Sequence, residues 1–110
     1  MEEKLICYVA SPVKNVLELE NYTPKAWQRV MDIAESGCKE VKEMGYIPLS
    51  PVLLFARIYC EESEREEALE DALALLSRCH CFYEVKSVYR SEGVQKEREV
   101  AKDLGLTLLN

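Results

Sequence analysis

Leu5-Ile6-Cys7-Tyr8-Val9-Ala10 is an unbroken apolar run closed by Ser11-Pro12. A strand with no polar alternation is buried on both faces, as strands are in parallel sheets covered by helices above and below. The rest of the chain supplies those helices. Ser11 to Tyr22 reads as a polar loop. Thr23-Pro24 then opens a helix, with Thr23 as N-cap and Pro24 at the first helical position. Trp27, Val30, Met31, Ala34, Cys38 and Val41 form its core-facing stripe, Gly37 on that stripe predicts close packing against the sheet, and Gly45 is its stop. Tyr46-Ile47-Pro48-Leu49 is a short second strand, followed by Ser50-Pro51, and Val52 to Tyr59 reads as one short helix across the sheet edge.

Ser63-Glu64-Arg65-Glu66 has the pattern of a capping box and predicts a helix to about Arg78, with Ala68, Leu69, Ala72, Leu75 and Leu76 facing inward. Cys79-His80-Cys81-Phe82-Tyr83 is the third strand, and Glu84 to Arg90 a loop. Ser91 to Leu104 is the last helix, ended by Gly105, and Leu106-Thr107-Leu108-Leu109 is the fourth strand. Strands alternating with helices imply an α/β fold with a parallel sheet and right-handed crossovers, in one domain over residues 1–110. Ligands of such sheets bind beyond the carboxyl ends of the strands, so the loops after Ala10, Leu49 and Tyr83 should meet at the site.

Composition narrows the partners. The net charge of −6 argues against a nucleic-acid-coating surface, which needs a basic stripe, though a local site can still hold a small anion. No apolar run approaches the length of a membrane span, and Met1-Glu2-Glu3-Lys4 lacks the make-up of a signal peptide, so a cytoplasmic protein is expected. The five cysteines are odd in number and scattered, which suits reduced thiols rather than a disulfide framework. Cys79 and Cys81 alternate along the expected strand and so share a face, with His80 opposite; no second ligand pair accompanies them, and neither a metal nor a cofactor is expected.

Glu97 is the residue that asks for a function. Val94, Val100, Ala101 and Leu104 recur at helical spacing, and Glu97 falls inside that stripe, three residues after Val94 and four before Ala101. Arg98 and Glu99 serve the wet face. A charged carboxylate facing a core costs several kcal/mol, on the order of the penalty for any unpaired buried ion, so it is either paired or working. Ser91-x-Gly93 opens the same helix: the dipole, the free backbone N–H groups, the Ser91 hydroxyl and the absent side chain of Gly93 together suit an anion. The same letters also spell an ordinary N-cap followed by a tolerated glutamate. Asp71 lies near the inward flank of its helix, amid a charge run that spacing alone reads as solvated. Tyr8 is either a core aromatic or a phenol within reach of a carboxylate. His80, the sole histidine, has no serine in a nucleophile-elbow setting, and no G-x-G-x-x-G or P-loop is present.

Ser91-x-Gly93-Val94-x-x-Glu97-x-x-x-Ala101 resembles the motif of the nucleoside 2-deoxyribosyltransferase-like superfamily, including its deoxynucleoside 5′-monophosphate N-glycosidase branch. Tyr8-Val9-Ala10-Ser11-Pro12 is similar to that family's first strand and turn, Pro48-Leu49-Ser50-Pro51 to its proline-containing turn, and Asp71 to its aspartate ahead of the third strand. The resemblance implies a flavodoxin-like three-layer sandwich around a parallel sheet of four strands, or five. It implies that Glu97 attacks the anomeric carbon of the sugar, that Asp71 binds or protonates the departing base, and that Tyr8 orients Glu97. Ser91 and Gly93 would hold the 5′ end, with Ser11, Pro12 and Pro51 completing the substrate side and Arg90 and Lys14 assisting. Serine at position 91, where an aspartate would repel phosphate, favours a nucleoside monophosphate over a free nucleoside. The other readings are a non-catalytic nucleotide-binding module and an oligomeric scaffold. A homodimer or higher homo-oligomer is expected, covering the apolar run Val52-Leu53-Leu54-Phe55.

Overall fold

The computed structural model describes residues 3–56, 58 and 62–110. Its elements run β1 (Ile6–Ala10), α1 (Lys14–Leu19), α2 (Pro24–Glu43), β2 (Ile47–Leu49), α3 (Pro51–Phe55), a 3₁₀ turn (Glu62–Glu64), α4 (Arg65–Leu76), β3 (Cys81–Glu84), α5 (Glu92–Asp103) and β4 (Thr107–Leu108). The sheet has four strands, all parallel, in the order β2-β1-β3-β4. This is an α/β three-layer sandwich in the flavodoxin-like order, and the order reverses between β1 and β3.

Pleating divides the core in two. Cys7, Val9, Cys81, Tyr83 and Val85 point to the α2 side, where Val41 meets them. Tyr8, Ala10 and Phe82 point to the other side, against Leu76 of α4 and Val94 and Ala101 of α5. The local signals act as the sequence predicts at several ends. Thr23 caps α2, its Oγ1 accepting the Ala26 N–H at 3.2 Å, with Pro24 following. Helices α2 and α5 finish alike: Gly45 (φ +96°) and Gly105 (φ +77°) take the left-handed conformation, while Tyr46 N–H and Leu106 N–H reach back to Val41 O and Ala101 O. At Gly37 an added Cβ would stand 2.2 Å from Val85 Cγ2 and 3.1 Å from Val9 Cγ1, so α2 lies on the sheet at a distance only glycine permits.

Several expectations are corrected. The supposed loop 11–22 contains α1, because Val16 and Leu17 are buried against Ala26 and Val30 of α2; one and a half turns are too short to show a period. Trp27 is 40% exposed, because the α2 stripe runs one residue earlier, through Ala26, Val30, Ala34, Gly37 and Val41. The capping box does not form: Ser63 lies in the 3₁₀ turn, and α4 starts at Arg65 with no side-chain cap from Glu64. Leu69 and Leu104, placed inward by their spacing, are exposed instead, the one in α4 and the other at the C-cap of α5. β3 starts at Cys81, two residues late, so Cys79 packs with Tyr8 and Phe82 while Cys81 faces α2; the two thiols lie on opposite sides of the sheet. His80 precedes the strand and is exposed, its Nδ1 accepting the Ile6 N–H at 2.9 Å. The short helix expected over 52–59 is α3, and residues 57 and 59 of that expectation lie outside the described residues.

Candidate functional site

Glu97 sits one and a half turns into α5, between buried Val94 and Ala101. Its carboxylate is half-buried, and the Tyr8 hydroxyl of β1 donates a hydrogen bond to Oε2. Among the described residues no lysine or arginine forms an ion pair with it. Burial pushes its pKa up to about 7, and the Tyr8 hydrogen bond, which favours the charged form, offsets part of that rise. Tyr8 is fully buried, in the middle of β1 rather than at its end, with its ring stacked on Phe82 at 5.9 Å between centroids. Burial, and then the neighbouring Glu97 charge, push the phenol far above its ordinary range, so it donates and does not ionise.

The register of the sheet places Asp71. Cys81 and Thr107 are register partners on adjacent parallel strands. Asp71 stands ten residues before Cys81, and Glu97 ten before Thr107. Helices α4 and α5 both lead into these strands from the same face of the sheet, so the two acids lie on neighbouring helices. Asp71 is half-buried there.

Beside α5 lies an open groove of about 1040 Å³. Arg98, one step round the helix from Glu97, carries this side. Its Nη2 is 2.7 Å from Glu84 Oε1 at the end of β3, its Nη1 donates to Asn110 O at 2.9 Å, and its guanidinium lies 5.4 Å from the Phe82 ring centroid. Arg98 is therefore not the solvated residue that its spacing implies. The groove opens beyond β1 and β3, where the strand order reverses, between Pro12 and the Val85–Glu92 stretch. Ser91 lines it and caps α5, its Oγ accepting the Val94 N–H at 3.2 Å. Gly93 is exposed, and a Cβ there would meet nothing closer than Ser91 Oγ at 3.7 Å, so no internal packing requires glycine.

The expected site residues thus fall into two groups. Glu97 and Tyr8 are joined directly, with Asp71 on the neighbouring helix α4. Ser91, Pro12 and Arg90 gather at the groove, which neither Glu97 nor Tyr8 lines. Ser11 is 6% exposed, and its Oγ is buried without a hydrogen-bond partner among the described residues. Pro51 is buried as the first residue of α3, behind Ser50, whose Oγ accepts the Leu53 N–H at 3.2 Å. Lys14 faces Glu18, at 3.9 Å, rather than the groove. Lys86, Lys96, Gln95 and Asn15 line the groove without having been picked out from the sequence; the signal was there in the clustering of basic residues from 86 to 98 in an acidic chain. Among the described residues no group of three or more His, Cys, Asp or Glu side chains could hold a metal, and no helix is long and apolar enough to cross a membrane.

Fold and site together define a doubly wound α/β domain with a groove at its switch point and a buried tyrosine–glutamate pair beside it. Residues 5–110 match a family described as "Domain of unknown function (DUF7768)", and the chain belongs to that family. No curated protein matches the chain.

Proposed function

We propose that the protein cleaves the N-glycosidic bond of a (deoxy)nucleoside 5′-monophosphate, by hydrolysis or by transfer of the sugar to a second base. The observation that carries this reading is Glu97, a half-buried acid with no cationic partner, held through one oxygen by Tyr8 and leaving Oε1 without a hydrogen bond among the described residues. In the reaction Glu97 Oε1 bonds to the anomeric carbon as the C–N bond breaks, and the base leaves with the bonding pair, bound by Asp71 and taking its proton from solvent. Water or another base, giving up a proton to solvent, then displaces the Glu97 carboxylate and restores it. Tyr8 fixes the attacking rotamer. The resemblance of the Ser91–Ala101 segment and of the Tyr8 strand to the nucleoside 2-deoxyribosyltransferase-like superfamily supports the same assignment.

The test is release of free base from a panel of nucleoside and deoxynucleoside 5′-monophosphates, followed by chromatography. Glu97→Ala should abolish release, and Tyr8→Phe should lower it about 10- to 100-fold. Because the nucleophile must be ionised, the rate should rise with pH through about 7 and level off above it. Absence of product from every substrate would overturn the reading. One observation favours a binding module instead, namely that Glu97 does not line the groove; a nucleotide that raised the melting temperature without being cleaved would identify that case. Exposed Leu54 in α3 supports a homodimer across the 52–55 run, and a cytoplasmic nucleotide pool would supply the substrate.

A further inference from the structure

We propose that the groove on the Arg98 flank of α5 binds an oligophosphate chain, the diphosphate or triphosphate of a nucleotide or the free inorganic anion. The chain as a whole is acidic, at −6, yet the groove is not. Lys86, Arg90 and Lys96 line it, are exposed, and take part in no ion pair among the described residues. Of the two carboxylates on its walls, Glu84 is neutralised by Arg98 at 2.7 Å, which leaves Glu92 alone to oppose three cations. Like charges left unpaired around one concavity repel one another, and a polyanion relieves that repulsion.

The neutral groups suit the same ligand. Ser87 and Ser91 bring hydroxyls, and Asn15 and Gln95 bring amides, the Gln95 Nε2 lying 3.5 Å from Glu84 Oε2; the Tyr89 hydroxyl is already donated to Glu20 Oε1 at 3.2 Å. Part of this set is already fixed by the fold: the Asn15 amide donates to Arg90 O, and the Ser87 hydroxyl accepts the Tyr89 N–H at 3.0 Å. These bonds hold the loop that carries Lys86 and Arg90 against α1 and so keep its cations at the rim. The first turn of the 12-residue helix α5 adds its positive dipole end from Glu92 inward. A single phosphate spans about one hydrogen-bonding shell, whereas cations at 86, 90 and 96 border an open groove of about 1040 Å³. An extended chain of phosphates can meet all three at once.

The inference concerns a groove that Glu97 does not line and does not depend on cleavage by Glu97. The test is calorimetric titration of the full chain, without divalent metal, with phosphate, pyrophosphate and tripolyphosphate, and with dAMP, dADP and dATP. Affinity should rise with each added phosphate and fall with salt. Lys86→Ala/Lys96→Ala should weaken tripolyphosphate binding at least about tenfold, as the loss of two charge-assisted contacts implies. Lys25→Ala/Lys39→Ala, with the same change of net charge on α2, should leave it unchanged. Glu97→Gln should also leave it unchanged. Loss of base release in Glu97→Gln with oligophosphate binding intact keeps the two sites separable. If no nucleotide is cleaved but tripolyphosphate still binds, the groove stands and the glycosidase reading falls. Tripolyphosphate binding no tighter than phosphate, or equal weakening in both lysine pairs, would overturn the groove.

Discussion

Glu97 is an acid whose surroundings oppose its charge. Its pKa in the fold, about 7, lies above the ordinary carboxylate value of 4.5, so the folded state holds its proton where the unfolded chain has lost it. The stabilisation associated with the proton is present at acid pH and is lost as pH rises from the unfolded value through about 7. Wild-type protein should therefore lose about 1–3 kcal/mol between pH 5 and pH 8 from this group, a range set by the shift and by its partial exposure. Glu97→Gln keeps an acceptor for Tyr8 and cannot ionise. Urea unfolding at the two pH values should show the slope flattened in Glu97→Gln, and an unchanged slope would mean that water already reaches the carboxylate. The placement of Glu97 within an apolar stripe was legible in the sequence. Its partner was legible only as one of two options for Tyr8, because 89 residues separate them.

At the scale of elements, what was legible was punctuation. Thr23-Pro24, Ser91, Gly45 and Gly105 fix their helix ends through the backbone preferences of one or two adjacent residues, and they act as expected. The errors arose where packing overruled local signals, as at α1 and at the Ser63 capping box. Gly37 shows how the two levels combine. Alanine in an open helix is worth about 1 kcal/mol over glycine. Here its Cβ would overlap Val85 Cγ2 at 2.2 Å, and overpacking of this kind costs about 1–3 kcal/mol or more. Gly37→Ala should lower the urea midpoint. Adding Val85→Ala should make the combined loss smaller than the sum of the two single losses, since it removes the methyl group that is struck. Strict additivity would show that α2 simply moves away from the sheet.

For the whole molecule, the sheet order brings thiols together as well as acids. Cys7 and Cys81 are register partners on the central strands, and Cys79 lies buried under the other face. Burial, with neighbouring thiols adding to it, pushes Cys7 up to about 12 and Cys79 up to about 11, and burial also raises Cys81. A thiol that cannot ionise does not react. Cys7, Cys79 and Cys81 should resist alkylation at pH 8 in the native protein and react together in denaturant, as read by peptide mass mapping. Modification of any of them at native rates comparable with a free thiol would mean that the core opens locally.

The sequence by itself determined the kinds of element, their order, the parallel sheet and the presence of an acid on a dry helix face, since each follows from residues near one another along the chain. Only the tertiary structure decided that strand order 2-1-3-4 sets Tyr8 against Glu97 and brings Arg98, Lys86 and Lys96 to one groove that Glu97 does not line. Spacing tells which residues share a helix face. It does not tell which strand that face will meet, because that choice is settled by the collective burial of segments far apart in the chain.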